Sequence, residues 1–99
     1  MIALFYLKTS DFQKVKNLAE TDDVVSRQSL TYRDPPSLGL KKDGFYLKIN
    51  GSEESIKRAE EILKGLVQEV KGKEKDEVLK KIEEQEDQED AGFGTLFGG

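Results

Sequence analysis

The sequence contains neither cysteine nor histidine. Without cysteine there is no disulfide, no thiolate nucleophile and no sulfur-ligated metal. Without histidine, the commonest general base, the commonest metal ligand and the side chain that titrates near neutral pH are all missing. Catalysis would fall to Asp, Glu, Lys, Tyr or Arg, and no constellation of these stands out. A non-enzyme is therefore expected, with no cofactor and no metal. Long apolar runs are missing too. Residues 2–7 are apolar, but the run is too short for a signal-peptide h-region and has no basic lead or small-residue cleavage site. No stretch approaches the ~18 apolar residues of a membrane span. A cytoplasmic protein is the expectation.

What is present is a charged chain of 99 residues, the size of one domain. Charged residues make up 36% of it, Lys and Glu dominate, and tryptophan is absent. That composition is common in hyperthermophile proteins and points to an archaeal source. The net charge of −4 is unevenly distributed. Residues 1–70 carry eleven basic and eleven acidic side chains, residues 71–82 five against three, and residues 83–99 six acids and no base. The acidity belongs to the C-terminal segment. Two parts follow: an α/β core over 1–72, then a Lys-rich polar helix and an acidic tail over 73–99. A core of about seventy residues buries only ~60% of the surface of its unfolded chain, so a homodimer or a heteromeric subunit is expected.

Residues 2–8 are apolar on both alternating faces, as in a central strand covered on both sides. Ser10 and Gln13 have capping-box spacing, and Phe12, Val15, Leu18 and Ala19 form a helical stripe over about 11–20. Residues 24–33 alternate as a half-exposed strand, ended by Asp34-Pro35-Pro36-Ser37. Asp43-Gly44 is a hairpin-turn pair, and Phe45, Leu47 and Ile49 form the inward face of the next strand. Ser52 is a good N-cap for a helix carrying Ile56, Ala59, Ile62 and Leu63. Gly65 leaves two alternatives. It lies within a helix reaching about residue 70, or it caps that helix and 66–70 becomes a strand. The first order is βαββα and the second is the ferredoxin-like βαββαβ. The unbroken apolar stripe through Leu66, Val67 and Val70 favours the first. In either case the class is α+β, an antiparallel sheet with two helices on one face. Phe12, Val15, Leu18, Ile56, Ala59 and Leu63 should pack on Leu4 or Phe5, Leu30, Leu47 and Ile49. Residues 74–88 read as a polar helix with a thin stripe of Val78, Leu79 and Ile82.

Asn50-Gly51-Ser52 opens a helix after a strand, as phosphate loops do, but Glu53 and Glu54 occupy the positive end of the dipole and would repel an anion. No GXXG loop supports a KH domain. Asp22-Asp23 and the acids of 83–90 lack the spaced ligands and central Gly of a calcium loop and read as solvated. Gly98-Gly99 matches the end of ubiquitin-like modifiers, but those open with a hairpin, and this chain opens strand-then-helix. Arg27, Arg33, Tyr46 and Lys48 should share one sheet face. Basic groups beside an aromatic suit RNA, within a complex, or a subunit contact.

Residues 83–99, EEQEDQEDAGFGTLFGG, are an acidic run closed by glycines, Phe93, Leu96 and Phe97. This segment resembles the C-terminal tail of the acidic P-proteins of the archaeal and eukaryotic ribosomal stalk. The matching positions are the acids Glu83, Glu84, Glu86, Asp87, Glu89 and Asp90, then Gly92, Phe93, Gly94, Leu96, Phe97 and Gly98. The resemblance implies a protein partner of the translational GTPase class, gripped by Phe93, Leu96 and Phe97. It covers a sixth of the chain, and the family's all-helical dimerisation domain and Ala-rich hinge are absent. The element order of residues 2–70 is similar to the small dimerising subunit of the archaeal KEOPS complex, which modifies tRNA. That resemblance implies a non-catalytic subunit and transfers no functional residue. An interaction or adaptor subunit of translation or tRNA-modification machinery is expected, with an RNA-binding domain as the alternative. Like charges over 83–90 predict disorder in the free protein, and Phe93, Leu96 and Phe97, spaced i, i+3 and i+4, a helical turn that forms only when bound.

Overall fold

A computed structural model describes the backbone of residues 1–96 and the side chains of residues 1–86. Strand β1 (Ile2–Leu7) sends Ala3, Phe5 and Leu7 to one face and Leu4 and Tyr6 to the other. Helix α1 (Phe12–Thr21) follows, then β2 (Ser29–Arg33), β3 (Phe45–Asn50), α2 (Glu53–Ile62), β4 (Val67–Glu69) and α3 (Gly72–Leu96). The sheet is antiparallel in the order β2-β3-β1-β4. The two central strands pair Phe5 with Leu47 and Tyr6 with Tyr46. This is the ferredoxin-like βαββαβ arrangement with one added helix.

One face of the sheet holds the main core. Phe5, Leu7, Leu47 and Ile49 pack with Val15 and Ala19 of α1 and with Ile56 and Ala59 of α2. The period-two reading of β3 is therefore correct, and Phe5 rather than Leu4 faces these helices. Phe12 stacks on Phe45 at 4.0 Å and meets Tyr32 edge-on at 5.5 Å, closing the α1 end. Arg58 of α2 donates twice to Asp22 Oδ1, at 3.0 and 3.1 Å, tying the two helices. The Val25 backbone N–H, then that guanidinium, hold the Asp22 carboxyl below its ordinary value of 3.8.

Several expectations are corrected. The expected strand 24–33 begins only at Ser29, because Asp22 Oδ2 accepts from the Val24 and Val25 backbone N–H groups and folds Val25–Arg27 into a 3-10 turn. Val25 is thereby buried in the main core. The Ser10 capping box does not form. Ser10 lies inside a 3-10 turn at Thr9–Asp11, and Gln13 Nε2 donates to Asn17 Oδ1 instead. Ser52 does cap α2, its side chain accepting from Ser55 N at 3.2 Å. Asp43-Gly44 is not a two-residue hairpin, since the connection from β2 to β3 also contains the turn Pro35–Leu38. Gly44 has φ +99°, and a Cβ there would lie 2.5 Å from Leu7 O and 2.7 Å from the Tyr6 ring. Its role is close approach to β1.

Gly65 decides the order of elements against the favoured alternative. Its φ is +84°, the left-handed region that a side chain disfavours, so α2 ends at Ile62 and the chain turns into β4. Helix α3 runs on to Leu96. Extending a helix from a docked turn is far easier than nucleating one. No helix among the described residues is long and apolar enough to cross a membrane.

Leu47 is fully buried between α1, α2 and the sheet. Leu47→Ala should lower stability by roughly 2–5 kcal/mol. A urea melt reads this as a lower midpoint at unchanged slope. An unchanged midpoint would place Leu47 outside the core.

Candidate functional site beneath the C-terminal helix

The second face of the sheet carries the side chains with chemistry. Tyr6 on β1 and Tyr46 on β3 are cross-strand neighbours, their rings 5.8 Å apart and inclined at 61°. Lys48 lies two residues along β3 on the same face, and Arg33 of β2 pairs with Tyr46. Lys42, in the loop before β3, places Nζ 4.1 Å from the centroid of the Tyr6 ring, a cation–π contact. The Tyr6 hydroxyl donates to Asp43 O at 2.7 Å and anchors that loop.

Helix α3 lies on this face. Val78 and Ile82 are buried against Leu4, Tyr46 and Val70, and Leu38 from the Pro35–Leu38 turn closes the side. Gly72 starts the helix at φ +67°, so the chain reverses sharply out of β4. Polar contacts fix the seat. The Tyr46 hydroxyl donates to Glu74 Oε2 at 3.4 Å, and Lys42 Nζ lies 3.6 Å from the same oxygen. Glu74 sits in the first turn, where the helix dipole favours a carboxylate. Further along, Glu86 is 3.8 Å from Lys48 Nζ, and Gln85 Nε2 donates to Ser37 O at 3.1 Å. Burial first, then the charge of Glu74, pushes the Tyr46 hydroxyl from 10.0 up to about 12.

The sequence-predicted contact set therefore divides. Tyr46 is only 2% exposed, and Lys48 is mostly covered. Arg33 is half-buried and donates from Nη1 to Tyr32 O at 3.0 Å. Arg27 is exposed in the 3-10 turn ahead of β2 and does not join the sheet face. The structure adds Tyr6, Lys42 and Glu74, which the sequence reading missed. Tyr6 was within reach: it is an even position of a two-faced strand whose antiparallel neighbour carries Tyr46. For Lys42 and Glu74 no sequence signal existed. Of the tail residues, Phe93 and Leu96 lie in the backbone span of α3, but their side chains, and Phe97 altogether, lie outside the described residues.

Elsewhere the surface is sparse in chemistry. A groove of about 330 Å³ where β1 meets the Gly65 turn has Tyr6, Lys8 and Asp11 as its titratable lining. Among the described residues no three acids are grouped to hold a metal ion. Compared with known proteins, the chain matches no family model, no curated protein and no solved structure.

The seat of α3 can be read through two tyrosines. Tyr46 lies under α3, while Tyr32, also pushed up to about 12 mainly by burial, belongs to the opposite face. Because the folded value of Tyr46 exceeds the unfolded one, its contribution to stability is complete below pH 10 and is lost as pH rises from 10 to about 12. Ile82→Ala, which thins the cover, should move Tyr46 back toward 10.0 and leave Tyr32 in place. An NMR titration of the two rings reads both, and equal shifts, or none, would contradict the seating.

Proposed function

We propose that this chain is a non-enzymatic adaptor, a cytoplasmic subunit of translation or tRNA-modification machinery that grips a partner protein through residues 83–99. The observation that carries this reading is the closure of the sheet's second face by the chain's own α3. The apolar side of β1 that called for a second subunit is satisfied internally. A heteromeric contact through the tail therefore suits the molecule better than a homodimer through the sheet. The last described contacts of α3 with the core are made by Gln85 and Glu86.

The tail has the chemistry of a short linear ligand. Phe93, Leu96 and Phe97 are spaced i, i+3 and i+4, which a helical turn brings to one face. Gly92 and Gly94 each weaken that turn by about 1 kcal/mol relative to Ala. Burying the three side chains in a groove yields about 1.5–3 kcal/mol each, reduced by ordering. The acids favour a basic-rimmed groove and a salt-sensitive on-rate. The resemblance to stalk tails makes an archaeal translational GTPase the first partner to test.

The full-length protein and its Phe93→Ala/Leu96→Ala variant should differ at least tenfold in affinity for such a factor, since each truncated anchor removes one to two kcal/mol of the roughly 1.5–3 it buries. Titration calorimetry at two salt concentrations measures this. Equal binding by the two proteins, or none to any translational GTPase, sinks the stalk-like reading.

A further inference from the structure

We propose that the sheet face beneath α3 is a stacking platform for single-stranded RNA, and that α3 is its displaceable cover. This goes beyond the tail reading and does not depend on it.

The first argument is position. In a four-stranded antiparallel sheet with both crossover helices on one face, the central strands present their side chains on the other. Small domains of this kind bind single-stranded RNA by stacking bases on aromatics of that face. Here the central strands are β1 and β3, and they place Tyr6 and Tyr46 side by side. Both hydroxyls lie at the edge of the helix–sheet contact and take polar partners, Asp43 O and Glu74.

The second argument is charge. Lys42 and Lys48 flank the tyrosine pair, as phosphate contacts flank stacked bases. Helix α3 puts a carboxylate on each of them, Glu74 on Lys42 and Glu86 on Lys48. Its acids thus stand where phosphates of a bound strand would lie.

The third argument is separability. The core under α1 and α2 is a cluster distinct from the one under α3. Among the described residues, the apolar hold of α3 is Val78, Leu79 and Ile82. Helix and sheet are joined at Lys71-Gly72, and Gly72 adopts a positive φ with nothing within 4 Å of a Cβ position, so the joint has open space around it. The helix can leave while both faces of α1 and α2 packing stay intact.

The test uses the full-length chain and a fluorescent single-stranded RNA of ~12 nucleotides, a length that spans such a platform. Anisotropy is measured for the wild type, Ile82→Glu and Ile82→Glu/Tyr46→Ser, with hydrogen exchange confirming that residues 1–71 stay protected while α3 is released. Opening is expected to raise affinity about tenfold or more, and loss of the Tyr46 stack should reverse most of that gain. A folded, opened Ile82→Glu protein that binds no tighter than the wild type overturns the proposal. So does a gain that survives Tyr46→Ser, which would mean a charged surface without stacking. Should Ile82→Glu fail to fold, Glu74→Gln/Glu86→Gln decides. These partly exposed positions remove only the covering charges, and about a threefold rise is expected, with no rise counting against the platform.

Discussion

A strand with apolar side chains on both faces must be covered twice, and β1 imposes that requirement on this molecule. Ala3, Phe5 and Leu7 need one layer, and Leu4 with half of Tyr6 needs another. The two crossover helices of a βαββαβ unit lie on the same side, because each right-handed crossover returns to the sheet from the same face. The second layer must come from outside the unit. Here it comes from the chain itself: the Pro35–Leu38 turn supplies Leu38, and α3 supplies Val78 and Ile82. Burial of such side chains is worth about 1.5–3 kcal/mol each, so a three-residue stripe is enough to seat a helix and not enough to make the seat permanent.

The ion pairs around α3 play a different part. Lys42–Glu74 and Lys48–Glu86 have partly exposed members, and pairs of that kind contribute from zero to about 1 kcal/mol. They do not hold the helix down. They set its register, because Val78 and Ile82 repeat at four residues and would tolerate a slide of one turn, whereas Glu74 meets Tyr46 and Lys42 in one register only. Apolar burial provides the energy of the contact and charge provides its address.

Much of the main core was legible in the sequence because period two and period 3.6 are unambiguous where polar residues intervene. Phe45, Leu47 and Ile49 alternate with Tyr46 and Lys48, and Val15 and Ala19 repeat along α1, so both landed on the correct side. The region after Gly65 was not legible, since Leu66, Val67 and Val70 within five residues are too few to separate the two periods. The sign of a glycine φ, which settles it, leaves no trace in composition. The strand before Ser29 failed for a related reason. Alternation over 24–28 is real, but one carboxylate, Asp22, binds two backbone amides and turns the chain, which takes Arg27 away from the site. The two-faced character of β1 was read correctly, but its second cover was assigned to another subunit. The stripe of Val78, Leu79 and Ile82 was read, but three apolar residues among lysines and glutamates fit a docked helix and a solvated one alike. The same ambiguity hid Glu74, whose role exists only once the helix is seated.

Helix α3 is thus common to both proposals, and this constrains how they relate. A partner that grips residues 83–99 and tolerates α3 on the sheet leaves the platform closed. One that also requires the helix to swing away must supply the free energy of its burial, and can shift the closed–open equilibrium only by its differential affinity for the two states. Reciprocity then requires RNA on the platform to tighten the partner's grip by the same factor. Glu86 is where the two requirements meet. It is the last described residue of α3 to touch the sheet and one of the acids of the tail. Under the two proposals, a basic-rimmed groove on the partner and Lys48 would compete for that carboxylate, so capture of the tail would cost the helix its register contact at that end. The other end, where Glu74 meets Tyr46 and Lys42 beside the Gly72 turn, would then serve as the pivot of the released helix.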